Sequence, residues 1–124
     1  HVVCEAYIKQ LGKTVLLDPS HNLVYFNNAV PVSLIELRDV LVAGNLDGIT
    51  LSEGSSHNGE EVTLVSLLGY LSKNMMFFRK AIHSDENSEI IDDNVICLAP
   101  KDLLNADMHG ARMTCNIREF YPEI

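Results

Sequence analysis

The chain has 124 residues, of which 47% are hydrophobic and 21% are charged, and its formal net charge is −8. This length and composition are typical of one globular domain with a single core. Its nine basic residues are spread along the chain, so we expect neither a nucleic-acid surface nor binding to anionic membranes. The apolar run at 62–71 is shorter than the ~20 residues of a membrane span.

Three cysteines, Cys4, Cys97 and Cys115, each lie in a strand-like apolar run, and none belongs to a CxxC pair. An odd number of cysteines without a glycosylation sequon favours reduced thiols and an intracellular location, either cytoplasm or nucleus. One disulfide with a thiol left over is the alternative. The sequence begins at His1 rather than Met, which favours a domain excised from a longer protein, with His1 as a candidate tag remnant.

Residues 2–9, 13–18 and 23–26 are rich in strand-forming side chains and predict three strands. The segment 18–22, Asp-Pro-Ser-His-Asn, is a strong turn signal, because Pro presets a turn angle and Asp and Asn bond their own backbone. The connections are short. We therefore predict an antiparallel meander.

A capping-box pattern follows the meander. Ser33 precedes Glu36 by three residues, ahead of apolar positions at helical spacing. This pattern predicts a short helix over 34–43 that stops at Gly44. A brief strand at 49–51 and a polar loop at 52–59 come next.

The stretch 58–83 carries the strongest helical pattern in the chain. Six apolar residues recur at three- and four-residue steps: Leu64, Leu68, Leu71, Met75, Phe78 and Ile82. Asn58 is a predicted N-cap, with Glu61 as its capping-box partner. The pattern predicts one long helix of about seven turns. Gly69 is the weak point of the predicted helix. The β-branched Val62, Thr63 and Val65 leave a strand possible in its first turns.

The rest of the chain is predicted to form short elements. They are a solvated loop at 83–88, apolar residues and a turn at 90–93, a buried strand at 95–98, one or two helical turns at 101–106, and a half-buried strand at 111–121. Met113, Cys115 and Ile117 are predicted on the inner face of the last strand. That strand is expected to lie beside the first one or to form an edge that pairs with a partner chain.

Together these elements predict an α+β fold. We expect a mainly antiparallel sheet of five or six strands packed against one long helix, with one or two shorter helices. Residues 1–124 are expected to form a single globular domain.

Histidines and carboxylates meet in the sequence only locally. The groupings are His83 with Asp85, Asp107 with His109, and His57 near Glu60 and Glu61. All lie in predicted loops, and neither HExxH nor paired Cys/His spacing occurs. Ser56 beside His57 lacks a GxSxG context, and the loop 54–59 lacks the lysine of a phosphate-binding loop. We therefore predict no metal, no cofactor and no catalytic residues.

On the predicted helix, Tyr70 and Phe77 lie two turns apart, closer to the polar side than to the apolar stripe. With Met76 and Lys73 they form the predicted partner-binding surface. Wrapping of this surface by the domain's own loops is the alternative.

The resulting prediction is a non-catalytic protein–protein interaction or oligomerisation domain of a larger intracellular protein, with a homodimer as the expected assembly. A small metal-dependent enzyme domain using His57, Glu61, His83 or His109 is the alternative function. A structural piece of a multidomain assembly is the third.

Overall fold

The computed structural model describes residues 1–83 and 94–122. Its contacts divide the chain into two compact units, His1–Lys73 and Asn74–Ile124. The loop predicted at 83–88, apart from its first residue, and the turn predicted at 90–93 lie outside the described residues.

Five strands of the first unit form one sheet in the order β1-β2-β3-β4, with β5 also paired to β3. They are β1 (Cys4–Ile8), β2 (Lys13–Asp18), β3 (Leu23–Asn27), β4 (Val30–Pro31) and β5 (Ile49–Leu51). Every pairing in this sheet is antiparallel, which confirms the predicted meander. Tyr25, Leu16 and Leu37 are the largest fully buried side chains described in the first unit. A 3-10 turn, Pro19–His21, connects β2 to β3.

Helix α1 (Leu34–Ala43) begins and ends where the sequence predicts. Ser33 Oγ accepts a hydrogen bond from the Glu36 N–H, and the Glu36 carboxylate accepts one from the Ser33 N–H. Partial burial raises the pKa of Glu36, but hydrogen bonds from Lys13 and Ser33 and the charge of Lys13 outweigh it, so the pKa is lowered. Gly44 closes the helix in the left-handed conformation.

The single long helix predicted over 58–83 is wrong. The structure has three shorter elements there: β7 (Glu60–Glu61), helix α2 (Leu64–Asn74) and β8 (Phe78–Ala81). Strand β6 (Ser56–His57) directly precedes them. Strands β6 and β7 form a two-stranded sheet of their own.

Two local features and one long-range pairing explain the error. Asn58 has φ 51° and Gly59 has φ 81°, so the predicted N-cap is the turn of the β6–β7 hairpin. Helix α2 begins later, where Thr63 Oγ1 accepts from the Ser66 N–H at 3.2 Å. Beyond α2, Phe78 is buried in a strand that pairs with another strand, and this pairing overrides the helical spacing.

The second unit contains a three-stranded sheet in the order β10-β9-β8. Strand β9 is Val95–Leu98, β10 is Arg112–Thr114, a 3-10 turn covers Lys101–Leu103, and α3 is Ile117–Phe120. Strand β8 runs antiparallel to β9, whereas β10 runs parallel to it. The buried strand predicted at 95–98 is confirmed.

The predicted terminal strand at 111–121 is too long. It ends at Thr114, and Asn116 caps α3 by accepting from the Arg118 N–H at 3.0 Å. This strand, β10, pairs with β9 rather than with β1. Cys97 is buried as predicted, but Cys115 is exposed.

The predicted fold class is therefore wrong in its architecture. The described residues form ten strands in three small sheets and three helices, two of them longer than six residues. No single long helix packs on a five- or six-stranded sheet in the part described. Mixed helix and strand content is what remains of the prediction. Among the described helices, none is both long and apolar enough to cross a membrane.

Candidate metal-binding site

The candidate site lies at one end of the first sheet, around the last residue of β2. In the β1–β2 pair Cys4 lies opposite Leu17, so the antiparallel register carries the residues before Cys4 toward Asp18. The 3-10 turn after Asp18 returns His21 to the same place. A hairpin end and a turn thus bring residue 1 and residues 18–21 together.

One carboxylate oxygen binds two imidazoles. His1 Nε2 lies 2.9 Å from Asp18 Oδ2, and His21 Nδ1 lies 2.8 Å from the same oxygen. The side chains of His1, Asp18 and His21 are only 18%, 5% and 13% exposed. One ligand atom from each lies within 4.8 Å of the other two, and no other such group of His, Cys, Asp or Glu occurs among the residues described.

The second oxygen of this carboxylate is left without a partner. Asp18 Oδ1 is the one buried side-chain oxygen or nitrogen in the described residues that has no hydrogen bond. A buried polar atom without a partner costs roughly 1–3 kcal/mol, and more when it is charged. A cation bound by Asp18 would offset this cost.

Two further rings surround the site. Tyr70, from α2, meets the His1 ring edge-on at 5.3 Å between centroids with an interplanar angle of 90°. His57, from the β6–β7 hairpin, lies with its ring centroid 4.9 Å from that of His21. Its Nδ1 donates a hydrogen bond to the Ser20 carbonyl at 3.1 Å.

The charge of Asp18 contributes to a shift in the pKa of a buried phenol, that of Tyr25. Burial, and then the negative charge of Asp18 and the Tyr70 phenol, raise the pKa of Tyr25 well above its ordinary value. Asp18 thus places negative charge close to the core of the first unit, with little water to screen it.

The donor set selects a class of metal. Two imidazole nitrogens and one carboxylate oxygen suit zinc and the neighbouring divalent transition metals. Calcium takes six to eight oxygen ligands, and magnesium keeps an octahedron of oxygens, so this set suits neither. The edges of a tetrahedral zinc site are about 3.3 Å, from bonds of about 2.0–2.1 Å. The observed contacts are slightly shorter, so the ligands would separate by a few tenths of an ångström around an ion.

The predicted partner-binding residues do not form one helical face. Tyr70 is 38% exposed and packs on the histidine rings, while Lys73 is exposed in the last turn of α2. Met76 and Phe77 follow the helix and belong to the second unit. Met76 is exposed and Phe77 is half-buried.

The histidines of the alternative metal prediction fall in separate places. His83 bonds through its backbone N–H to Asn94 Oδ1 at 2.9 Å. His109 closes a local turn, where its N–H donates to Asp107 Oδ1 at 3.1 Å. His57 packs against His21, and Glu61 is an exposed residue of β7.

His1, Asp18 and His21 were missed by the sequence reasoning. The segment 18–22 predicts a turn, and Asp-x-x-His across a turn also places two ligands on one side. The predicted β1–β2 hairpin held a second signal, because its register brings the first residues of the chain toward Asp18.

We compared the chain with protein-family models, curated proteins and solved structures, and none of the three comparisons gave a match.

Proposed function

We propose that the first unit is a metal-binding domain that holds one divalent transition-metal ion, with zinc as the expected ion, on His1 Nε2, His21 Nδ1 and the Asp18 carboxylate. The observation that carries the proposal is the buried Asp18 carboxylate, which binds both imidazoles through one oxygen and leaves the other oxygen unpartnered.

Electrostatics support a cation at this place. Without an ion, each imidazole must present a ring N–H to Asp18 Oδ2, and Oδ1 remains unsatisfied. With an ion, the two ring nitrogens become ligands, each neutral imidazole carries its proton on the other ring nitrogen, and the carboxylate has a positive partner. The net charge of −8 also favours the approach of a cation.

The test is zinc binding by the full chain, purified without a polyhistidine tag. Isothermal titration calorimetry and elemental analysis should give one zinc ion per chain. The metal should also raise the free energy of unfolding, by about 2.7 kcal/mol at a free zinc concentration 100 times Kd. His21→Ala should weaken zinc binding at least tenfold.

His109→Ala is the matched control, because His109 lies in a loop of the second unit and its N–H donates to Asp107 within the same turn. Its zinc affinity should equal that of the wild type. His1→Ala removes the other imidazole ligand and should also weaken zinc binding. Absence of stoichiometric zinc binding, or equal affinity in the wild type and His21→Ala, would overturn the proposal.

Protein–protein interaction is the second candidate function, with the homodimer as its form. The observation that favours it is the outer edge of β1, which pairs only with β2 in the described part of the chain. Tyr7 on this strand is 64% exposed, and such an edge can accept a strand from a second copy. The free thiols of all three cysteines agree with an intracellular location for this assembly.

Sedimentation equilibrium tests the dimer. Tyr7→Lys places a charge on the β1 edge and should shift a dimer toward monomer, because edge lysines block strand addition. Val42→Lys is the control, since Val42 is 82% exposed and lies on α1. A monomer at every concentration in the wild type would contradict the dimer.

A further inference from the structure

Three histidine rings, those of His1, His21 and His57, lie next to one another, and the three-ligand site uses only the first two. His57 stands beside His21, but its ring nitrogens are not in the group of three ligand atoms that lie within 4.8 Å of one another. The question is whether this ring is a neighbour of the metal site or part of it. The answer decides between an open site with a free coordination position and a closed one.

The spacing of the rings matches that of ligands on one ion. Two imidazoles bound to a tetrahedral zinc ion have ring centroids about 5 Å apart, given Zn–N bonds of about 2.0–2.1 Å. The centroids of His1 and His21 are 5.1 Å apart, and those of His21 and His57 are 4.9 Å apart. The ring planes are tilted by 46° and 38°, so neither pair is a parallel stack.

His57 also has the hydrogen bond of a metal-bound histidine. Its Nδ1 donates to the Ser20 carbonyl at 3.1 Å, which fixes the tautomer and leaves the Nε2 lone pair available. Ser20 lies in the 3-10 turn beside His21, so the same turn orients both rings. A ligand histidine usually donates its other ring N–H to a backbone carbonyl or a carboxylate in this way.

To bind the same ion, His57 must move closer to the other three ligands, and its position in the β6–β7 hairpin allows this movement. His57 is exposed and is the last residue of β6, directly before the Asn58-Gly59 turn. Because the residue is exposed, a small shift of the hairpin tip toward the ion would keep the bond from His57 Nδ1 to Ser20 and leave the buried core in place.

We propose that His57 Nε2 is the fourth protein ligand and closes a His₃Asp zinc site with His1, Asp18 and His21. This inference rests on the proposed function, because it completes the coordination of the same ion. A closed four-coordinate site is characteristic of structural zinc, whereas catalytic sites keep a position for water. The ion would then fasten the β6–β7 hairpin to the first sheet.

X-ray absorption spectroscopy of the zinc-loaded full chain tests the ligand count directly, without a variant. Imidazole scattering should correspond to three histidines in the wild type and two in His57→Ala. Zinc titration should show a Kd at least tenfold weaker in His57→Ala. His83→Ala, which removes an exposed histidine of the second unit, should have the wild-type Kd and three imidazoles.

The outcomes separate this inference from the proposed function. Two imidazoles in the wild type, with stoichiometric zinc, would overturn the role of His57 and leave the three-ligand site intact. A wild type that binds no zinc would overturn the proposed function itself. Three imidazoles in the wild type, with one lost in His57→Ala, would support both.

Discussion

At the residue scale, Asp18 has the least usual environment in the described structure. It is 4% exposed, it accepts from two imidazoles through one oxygen, and its other oxygen has no partner. Aspartate is seldom fully buried unless it is paired or coordinates a metal. An Asp at a strand end before Pro predicts a turn, so its sequence context alone gives no reason to expect burial.

Tyr25 provides a pH test of the core around Asp18. Its folded pKa is raised above the ordinary value of 10.0, so its contribution to stability is fully present below pH 10.0 and is lost as the pH rises toward the folded pKa. Tyr25→Phe should therefore make the alkaline loss of stability shallower. Urea unfolding at a series of pH values from 8 to 11 measures this slope.

Tyr7→Phe is the control for this measurement, because Tyr7 is 64% exposed and lies on the edge strand. Its alkaline slope should equal that of the wild type. If Tyr25→Phe also keeps the wild-type slope, Tyr25 is not the group that links stability to alkaline pH.

At the element scale, α2 and the β6–β7 hairpin replace one continuous helix, and two glycines distinguish these arrangements. Gly69 is exposed in the interior of α2, and an added Cβ would meet nothing within 4 Å. Gly59 has equally open space but φ +81° in the hairpin turn. Both positions fall inside the helix predicted over 58–83.

Gly69→Ala should raise the free energy of unfolding by about 0.5–1 kcal/mol, because alanine loses less backbone entropy in a helix. Gly59→Ala should lower it by about 1–2 kcal/mol, because an alanine side chain disfavours the left-handed conformation. Urea unfolding measures both. A continuous helix would instead make both substitutions stabilising, so the opposite signs are the diagnostic result.

At the scale of the whole molecule, the elements that could be predicted are those with local signals. Helix α1 has its capping box and its closing Gly44 within one short stretch, and the sequence predicts both. Strand β9 is a short apolar run bounded by Pro100, and the sequence predicts it as well. In each case the physical cause lies within a few residues of the element.

The elements that could not be predicted depend on partners distant in sequence. Strand β8 carries side chains at helical spacing, and it is extended because Phe78–Ala81 pairs with Val95–Leu98. The terminal strand stops at Thr114 because Asn116 starts a helical turn. The candidate site joins His1, Asp18 and His21 through a strand register, which no single motif encodes.

The sequence separations within the candidate site have a mechanical consequence. Asp18 is 17 residues from His1, and the Ser20 carbonyl that holds His57 is 37 residues before it. An ion shared by these side chains would act as a removable cross-link that closes two long chain segments, and it would reduce the entropy of the unfolded chain as a disulfide does. The rigidity of this end of the first unit would then depend on the supply of metal, and a chelator would loosen it without breaking a covalent bond.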